Sequence, residues 1–120
     1  METLNYDNLL ASDYPAVTDE VTIVSGQNLA KGAVLGKITA SGKYTLCDSA
    51  AVDGSQNPVA ILAEDCDASG GDAVAAVYLS GAFNQNALTF GGTDTADDHR
   101  VALRDLNIYL KKSLTTGGTI

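Results

Sequence analysis

The sequence contains no tryptophan, only two prolines and only 6% aromatic residues. Because hydrophobic residues still make up 45% of the chain, the core must be built mainly from Ala, Val, Leu and Ile. No apolar run approaches the roughly 20 residues of a transmembrane helix. The N-terminus also lacks a basic region followed by an apolar run, so neither a membrane span nor a signal peptide is expected. A chain of 120 residues and 12.3 kDa corresponds to a single domain.

Basic residues are also missing from a long part of the chain. No Lys or Arg occurs between Tyr44 and His99, and the formal net charge is -8. An acidic body repels phosphate backbones and anionic lipid head groups, so we predict no direct binding to nucleic acid or membranes. The simplest interpretation of this acidity is solubility at high protein concentration.

The residues that could support covalent or metal chemistry are few. The two cysteines, Cys47 and Cys66, lie too far apart for a C-x-x-C site, and two thiols cannot complete a zinc site. His99 is the only histidine and could form a Cys-His hydrolase pair with either thiol, but no local signature supports this. We therefore predict two small buried or half-buried thiols, a packed or half-buried histidine, and no catalytic residue, cofactor or metal.

Two glycine-containing stretches resemble ligand-binding loops. Asp65, Asp67, Ser69 and Gly70 copy the first half of a calcium loop, but position twelve is Ala76, where a bidentate Glu is required. The Gly-Gly pairs at 70–71 and 91–92 are not followed by the Lys-Ser or Lys-Thr of a phosphate-binding loop. Both stretches are interpreted as turns.

The pattern of apolar and turn residues predicts a mainly β fold. A β-branched strand is predicted at 20–25, and a hairpin at 34–40 and 43–47 around Ser41 and Gly42. Residues 58–64 and 72–79 are nearly all apolar, which predicts burial on both faces, with Ser80 and Gly81 interrupting the second run. Weaker patterns are compatible with short strands at 88–90 and 108–110.

One short α-helix is predicted near the C-terminus. Thr95 is a suitable N-cap, and Asp98 follows at capping-box spacing. Asn107 is a suitable left-handed terminator. The apolar stripe of this helix would comprise Ala102, Leu103 and Leu106, with His99 on the same face.

The end of this helix has an alternative, because Tyr109 and Leu110 also continue the stripe as far as Lys112. We prefer the shorter helix, since Val101 and Ile108 would otherwise both face solvent.

These patterns divide the chain into three parts: an N-terminal arm at 1–19, a β-rich domain at 20–112 and a loose tail at 113–120. The arm has no regular period, but its apolar residues are interleaved with polar ones, so it is expected to be a flexible segment that docks on a partner. The docking residues predicted in it are Leu4, Tyr6, Leu9, Leu10, Tyr14, Pro15 and Val17.

The order of these motifs resembles a known family. Residues 57–83, the 31–44 hairpin, 87–92, and 95–98 continuing into 103–109 are together similar to the lambda-type head decoration proteins of tailed phages. The resemblance covers roughly 21–110. Asn107 stands where Gly is expected, but Asn tolerates the same left-handed conformation.

This resemblance implies a compact β-barrel-like or β-tulip domain that assembles as a homotrimer, with no catalytic residues and no cofactor. The trimer would bind the major capsid protein on the outer surface of the expanded head, at local three-fold positions, and cement capsomers against DNA pressure. It would be made in the host cytoplasm and end in the virion, with the seven apolar arm residues contacting the capsid.

The residues leave other functions open. The first is another phage structural adaptor, in a tail, fibre or baseplate, or a trimeric β-module that binds a ligand. A sugar-binding barrel is a second, although it would need exposed aromatic platforms and only Tyr44 and Tyr78 lie in the body. A Cys-His enzyme is the third.

Overall fold

The computed structural model describes residues 9–10 and 16–112. Within them the chain forms eight strands and one α-helix: β1 (Val17–Ile23), β2 (Asn28–Leu29), β3 (Val34–Lys37), β4 (Tyr44–Leu46), β5 (Pro58–Leu62), β6 (Cys66–Asp67), β7 (Ala73–Asn84), α1 (Ala96–Arg104) and β8 (Ile108–Lys111). The described part of the chain contains no helix that is long and apolar enough to cross a bilayer. The predicted mainly β class with one helix is confirmed.

Five of the strands close into a barrel. Their order is β1-β4-β3-β5-β7, and β7 pairs back on β1 in antiparallel register from Val17–Ser80 to Ile23–Ala73. β8 extends the sheet by pairing parallel to the far end of β7, from Gly81–Ile108 to Asn84–Lys111. β2 and β6 form a separate two-stranded ribbon. The barrel predicted from the resemblance is therefore present.

The buried side chains form two separate clusters, one on each side of the barrel wall. We call the first the barrel interior; it comprises Ile23, Ala33, Leu35, Ala60, Leu62, Cys66, Ala68, Ala75 and Val77. We call the second the outer cluster; it comprises Leu9, Val34, Cys47, Ile61, Phe83, Leu103, Ile108 and Leu110.

The period of two along a strand assigns neighbouring residues to different clusters. On β5, Ala60 and Leu62 belong to the barrel interior, whereas Ile61 belongs to the outer cluster. On β3, Leu35 and Val34 divide in the same way. This arrangement confirms the prediction that the apolar run beginning at Pro58 is buried on both faces.

The second apolar run differs from its prediction. In the first half of β7, Ala75 and Val77 are buried, but Val74 is 65% exposed. The prediction of burial on both faces was therefore wrong for this part of the strand. The physical reason is that α1 and β8 cover the barrel wall only further along the strand. β7 also continues through Gly81, which takes a φ of 145°, rather than ending at it.

Several strand boundaries also differ. β1 begins at Val17, three residues before the predicted start, because β7 is long enough to pair with it there. The predicted hairpin forms between β3 and β4, but its loop spans 38–43 and is closed by a hydrogen bond from Ile38 N–H to the Lys43 carbonyl (2.8 Å). Residues 88–90 form only an isolated bridge, from Thr89 to Ala33. The short strands β2 and β6 were not predicted.

The helix follows the shorter prediction. Asp98 accepts a hydrogen bond from the backbone N–H of Thr95 (2.7 Å), which is part of the predicted capping box. The helix ends at Arg104, Asn107 adopts a left-handed φ of 65°, and the chain then enters β8.

The prediction of the buried apolar stripe on this helix was only partly correct. Leu103 and His99 are buried, but Ala102 and Leu106 are exposed. A helix this short presents only one narrow face to the barrel, and Leu106 already lies in the turn that follows it. Ile108 is buried at the start of β8, as the shorter helix requires, whereas Val101 faces solvent.

Candidate functional site

The N-terminal segment is the site that the sequence singled out. Of its seven predicted docking residues, Leu9, Leu10 and Val17 are among the described residues, and Leu4, Tyr6, Tyr14 and Pro15 lie outside them. The three described residues differ sharply in their surroundings.

Leu9 belongs to the core of the domain. It is only 2% exposed and packs in the outer cluster, while its carbonyl accepts a hydrogen bond from the Asn84 N–H at 2.9 Å. Leu10 forms an antiparallel bridge with Phe83 and remains 38% exposed. The chain is thus fastened to the far end of β7 at Leu9, inside the range that the sequence assigned to the arm.

Val17 starts β1 and is 54% exposed. The four residues from Val17 to Glu20 are all exposed, although successive strand residues point to opposite faces. Along this stretch β1 pairs with β7, and β4 meets β1 only at Ile23. The beginning of β1 therefore projects as a strand that is open to solvent on both faces.

A groove between α1 and β8 lies beside the same end of β7. It has a volume of about 170 Å³ and is lined by Arg100, Arg104, Ile108, Tyr109, Leu110 and Lys111. Arg100 is held in place at this groove, because its guanidinium donates to the Leu110 carbonyl at 2.8 Å and to Gln85 Oε1 at 2.5 Å.

The sequence alone did not reveal this groove. The signal was present, however, because four of the seven cations in the chain fall between residues 100 and 112, after a long stretch without any. Only the folding of α1 back onto β8 brings these cations together.

The structure also brings together Cys47 and His99, the pair considered as a Cys-His enzyme. Cys47 Sγ lies 3.9 Å from His99 Nε2, and the same nitrogen lies 2.8 Å from Asp94 Oδ2. The His99 ring stacks on Phe90 with centroids 5.7 Å apart. Both Cys47 and His99 are buried, as the sequence predicted.

The geometry of this trio does not suit nucleophilic catalysis. A general base needs a free ring nitrogen facing the nucleophile while the carboxylate holds the other nitrogen. Here Nε2 faces both partners, so an N–H donated to Asp94 leaves it no lone pair for the thiol proton. Burial, together with the charges of Asp94 and Asp48, raises the pKa of Cys47 to about 12, so the reactive thiolate is suppressed.

Cys66 is not placed for nucleophilic catalysis either. It lies in the barrel interior, away from His99, and burial raises the pKa of its thiol as well. Both cysteines are free thiols.

Asp94 instead joins two segments of the chain. Ser49 donates to its carboxylate through the backbone N–H (2.7 Å) and through the hydroxyl (2.5 Å). These bonds, together with the contact to His99, lower the pKa of Asp94 to about 2. The network holds the loop after β4 against the start of α1, which is a structural task.

The carboxylates of Asp65 and Asp67 in the calcium-like loop already accept hydrogen bonds from the chain itself. Asp67 Oδ1 accepts from the backbone N–H of Ser69 (3.0 Å) and from its hydroxyl (2.5 Å), and Asp65 accepts from the Lys31 N–H (2.8 Å). Within residues 9–10 and 16–112, no three His, Cys, Asp or Glu side chains are arranged to hold a metal ion.

These observations define a small closed β-barrel with one helix, whose N-terminal segment is tied into its outer cluster. The chain matches the family described as bacteriophage lambda head decoration protein D over residues 1–109, and it belongs to that family. The match confirms the resemblance and extends it to the N-terminal segment, which the resemblance did not cover. The comparison with curated proteins gives no significant match.

Proposed function

We propose that this protein decorates the head of a tailed phage. It binds the major capsid protein on the outer surface of the expanded head, as a trimer at local three-fold positions, and holds neighbouring capsomers together against the pressure of packaged DNA. The observation that carries this proposal is the family match over residues 1–109. The protein would be made in the host cytoplasm and would act in the virion.

The N-terminal segment is the part that we propose contacts the capsid. Leu9 is buried and its carbonyl is hydrogen-bonded to Asn84, so it anchors the start of the described chain to β7. Leu4 and Tyr6 precede this anchor, and the exposed Leu10 and Val17 follow it. Leu9 itself contributes as the anchor rather than as a contact.

A trimer would make this mode of binding selective. Three segments on one rigid body act together, so their combined affinity far exceeds that of one segment. All three engage only when three receptor sites have the right spacing, which would distinguish expanded from unexpanded heads.

A catalytic role is not part of this proposal. The Cys47 thiol is buried with its pKa raised to about 12, and His99 directs one nitrogen at both of its neighbours. The chemistry of this pair therefore supports a structural rather than a catalytic use of both side chains.

Deletion of residues 1–8 tests the proposal better than removal of the whole predicted arm, because Leu9 and residues 17–19 are built into the fold. The variant should stay folded and trimeric by light scattering but fail to co-sediment with empty expanded heads. Deletion of residues 113–120, a segment of equal length, is the control and should leave binding intact.

Two results would count against the proposal, and they are separable. Full binding by the 1–8 deletion would remove the role of the segment. Failure of the full chain to bind expanded heads would remove the decoration function itself.

A further inference from the structure

We propose that copies of this chain contact one another head to tail, with the exposed acidic end of β1 in one copy lying in the basic groove between α1 and β8 of the next. This inference rests on the trimer of the proposed function and specifies which surfaces form it. Such a contact uses two different surfaces of each copy, and contacts of this type close into rings.

The first surface is acidic and unusually exposed. Residues 1–30 contain five acidic residues and no cation. Two of the acids, Asp19 and Glu20, lie in the stretch of β1 whose side chains are exposed on both faces, next to Val17. Neither carboxylate forms a salt bridge within the described part of the chain. A strand this exposed, carrying both an apolar residue and unpaired charge, is suited to contact a partner.

The second surface is basic. Three of the six groove-lining residues are cations and none is acidic. Arg100 is held by Leu110, Gln85 and the exposed Asp97, but Arg104 and Lys111 are exposed and have no ion-pair partner among the described residues. Lys112 continues the series at the end of β8. On a chain with a net charge of -8, this concentration of positive charge complements the acidic strand.

The topology keeps the two surfaces of one copy apart. Val17 pairs with Ser80 and Ile108 pairs with Gly81, so both surfaces begin at neighbouring positions along β7. Phe83 pairs with Leu10 on one edge and with Leu110 on the other, so β7 lies between the N-terminal segment and β8. Because β7 separates them, the acidic strand is available to the groove of a second copy rather than to its own.

Complementary charges at such a contact mainly set partner choice and register, and their effect weakens with salt. The exposed Val17 is the apolar side chain that the contact would bury, because Ile108 and Leu110 in the groove are already buried within one copy. We therefore expect the assembly to dissociate more readily as salt concentration rises.

Charge reversal on the full-length chain tests the inference. The double variants Asp19→Lys/Glu20→Lys and Arg104→Glu/Lys111→Glu should each reduce the trimer fraction at least tenfold, measured by light scattering across a dilution series. Combining all four substitutions in one chain makes every contact complementary again and should restore the trimer. Ala50→Lys/Val52→Lys, in the exposed loop after β4, shifts net charge in the same direction as the first variant and should leave the trimer intact.

The possible results separate this inference from the proposed function. A wild-type trimer that persists in both double variants overturns the inference and leaves the decoration role standing. Dissociation in both, without recovery in the fourfold variant, also overturns it, because the charges would not act on each other. A wild-type mass of 12.3 kDa at every concentration also overturns the inference, since the two surfaces would then not hold free copies together, whereas the decoration role is decided by co-sedimentation with expanded heads.

Discussion

The barrel interior and the outer cluster are similar in size but differ in construction. The interior is formed mainly by aliphatic side chains on β1, β3, β5 and β7, with Cys66 of the two-stranded ribbon and Ala33 and Ala68 outside the strands. The outer cluster gathers residues from Leu9 to Leu110, including the largest buried side chain, Phe83, and it has the polar His99 and Asp94 at its margin. The interior therefore depends on strand alternation, whereas the outer cluster depends on contacts between segments that are far apart in the chain.

This difference matters for the proposed function, because the anchor of the N-terminal segment and the basic groove lie on the outer cluster. The anchor Leu9, the β8 strand and the helix α1 all pack there. The interior provides a rigid body, and the outer cluster fixes the N-terminal segment and the basic groove on that body.

The largest expected effect comes from Phe83→Ala. This side chain is fully buried and its ring lies 5.4 Å from that of Tyr78, so truncation should lower the free energy of unfolding by about 3–5 kcal/mol. Urea unfolding measures the loss, with Leu62→Ala in the barrel interior as comparator at about 2–5 kcal/mol. A loss of less than about 1 kcal/mol for Phe83→Ala would show that the outer cluster is not a true core.

Leu9 and Leu10 form a matched pair for the N-terminal anchor. Leu9→Ala removes a buried side chain from the outer cluster and should cost about 2–5 kcal/mol, whereas Leu10→Ala should stay within about 0.5 kcal/mol. Chemical denaturation of the two variants gives the comparison directly. Equal stabilities would mean that Leu9 does not tie the segment to the barrel.

Gly36 tests the close packing of the wall between the two clusters. A methyl group there would overlap the backbone of Ser55, so Gly36→Ala should destabilise the fold by about 1–3 kcal/mol through overpacking. Gly70→Ala is the control, since a Cβ at that position would meet nothing within 4 Å. Thermal unfolding of both variants measures the difference in stability. An unchanged stability for Gly36→Ala would contradict the close approach of the Ser55 backbone to β3.

The smallest effect concerns the polar margin of the outer cluster and depends on pH. The pKa of Asp94 is lowered from 3.8 to about 2, so the unfolded chain takes up a proton at a higher pH than the folded one. Its stabilising contribution is complete above about pH 4 and is lost as the pH falls toward 2. Asp94→Asn should be less stable than the wild type at neutral pH and should show a flatter pH dependence between 4 and 2.

Denaturant midpoints measured at pH 7, 4, 3 and 2 test this expectation. Ser49→Ala removes the hydrogen bond of the hydroxyl but keeps that of the backbone N–H, so its pH slope should lie between those of the wild type and Asp94→Asn. An Asp94→Asn slope equal to that of the wild type would show that the network with Ser49 and His99 does not stabilise the fold.

The features of the fold that depend on neighbouring residues in the sequence could be predicted. The capping residues Thr95 and Asp98, the left-handed Asn107 and the apolar run at Pro58 each act through neighbours within a few positions. The family could also be recognised from the order of these motifs. In contrast, the extension of β1 to Val17 could not be predicted, because it follows from pairing with β7 more than 50 positions away.

The candidate site was predictable only in part. The interleaved apolar residues marked the N-terminal segment. They did not show that Leu9 is a core residue, since it is buried by distant residues of the outer cluster and is hydrogen-bonded to Asn84 on β7. The basic groove depends on α1 folding back beside β8, and the contact of Cys47 with His99 joins positions 52 residues apart.

The amino-acid sequence by itself determined the mainly β class, the single capped helix, the acidic character and the positions of most strands, because propensity, alternation and capping are short-range. Only the tertiary structure decided the closure of the barrel by β1 and β7, the division of alternating residues between two clusters, and the anchoring of the N-terminal segment at Leu9. These depend on which distant segments become neighbours, and burial and charge complementarity arise only once they have met.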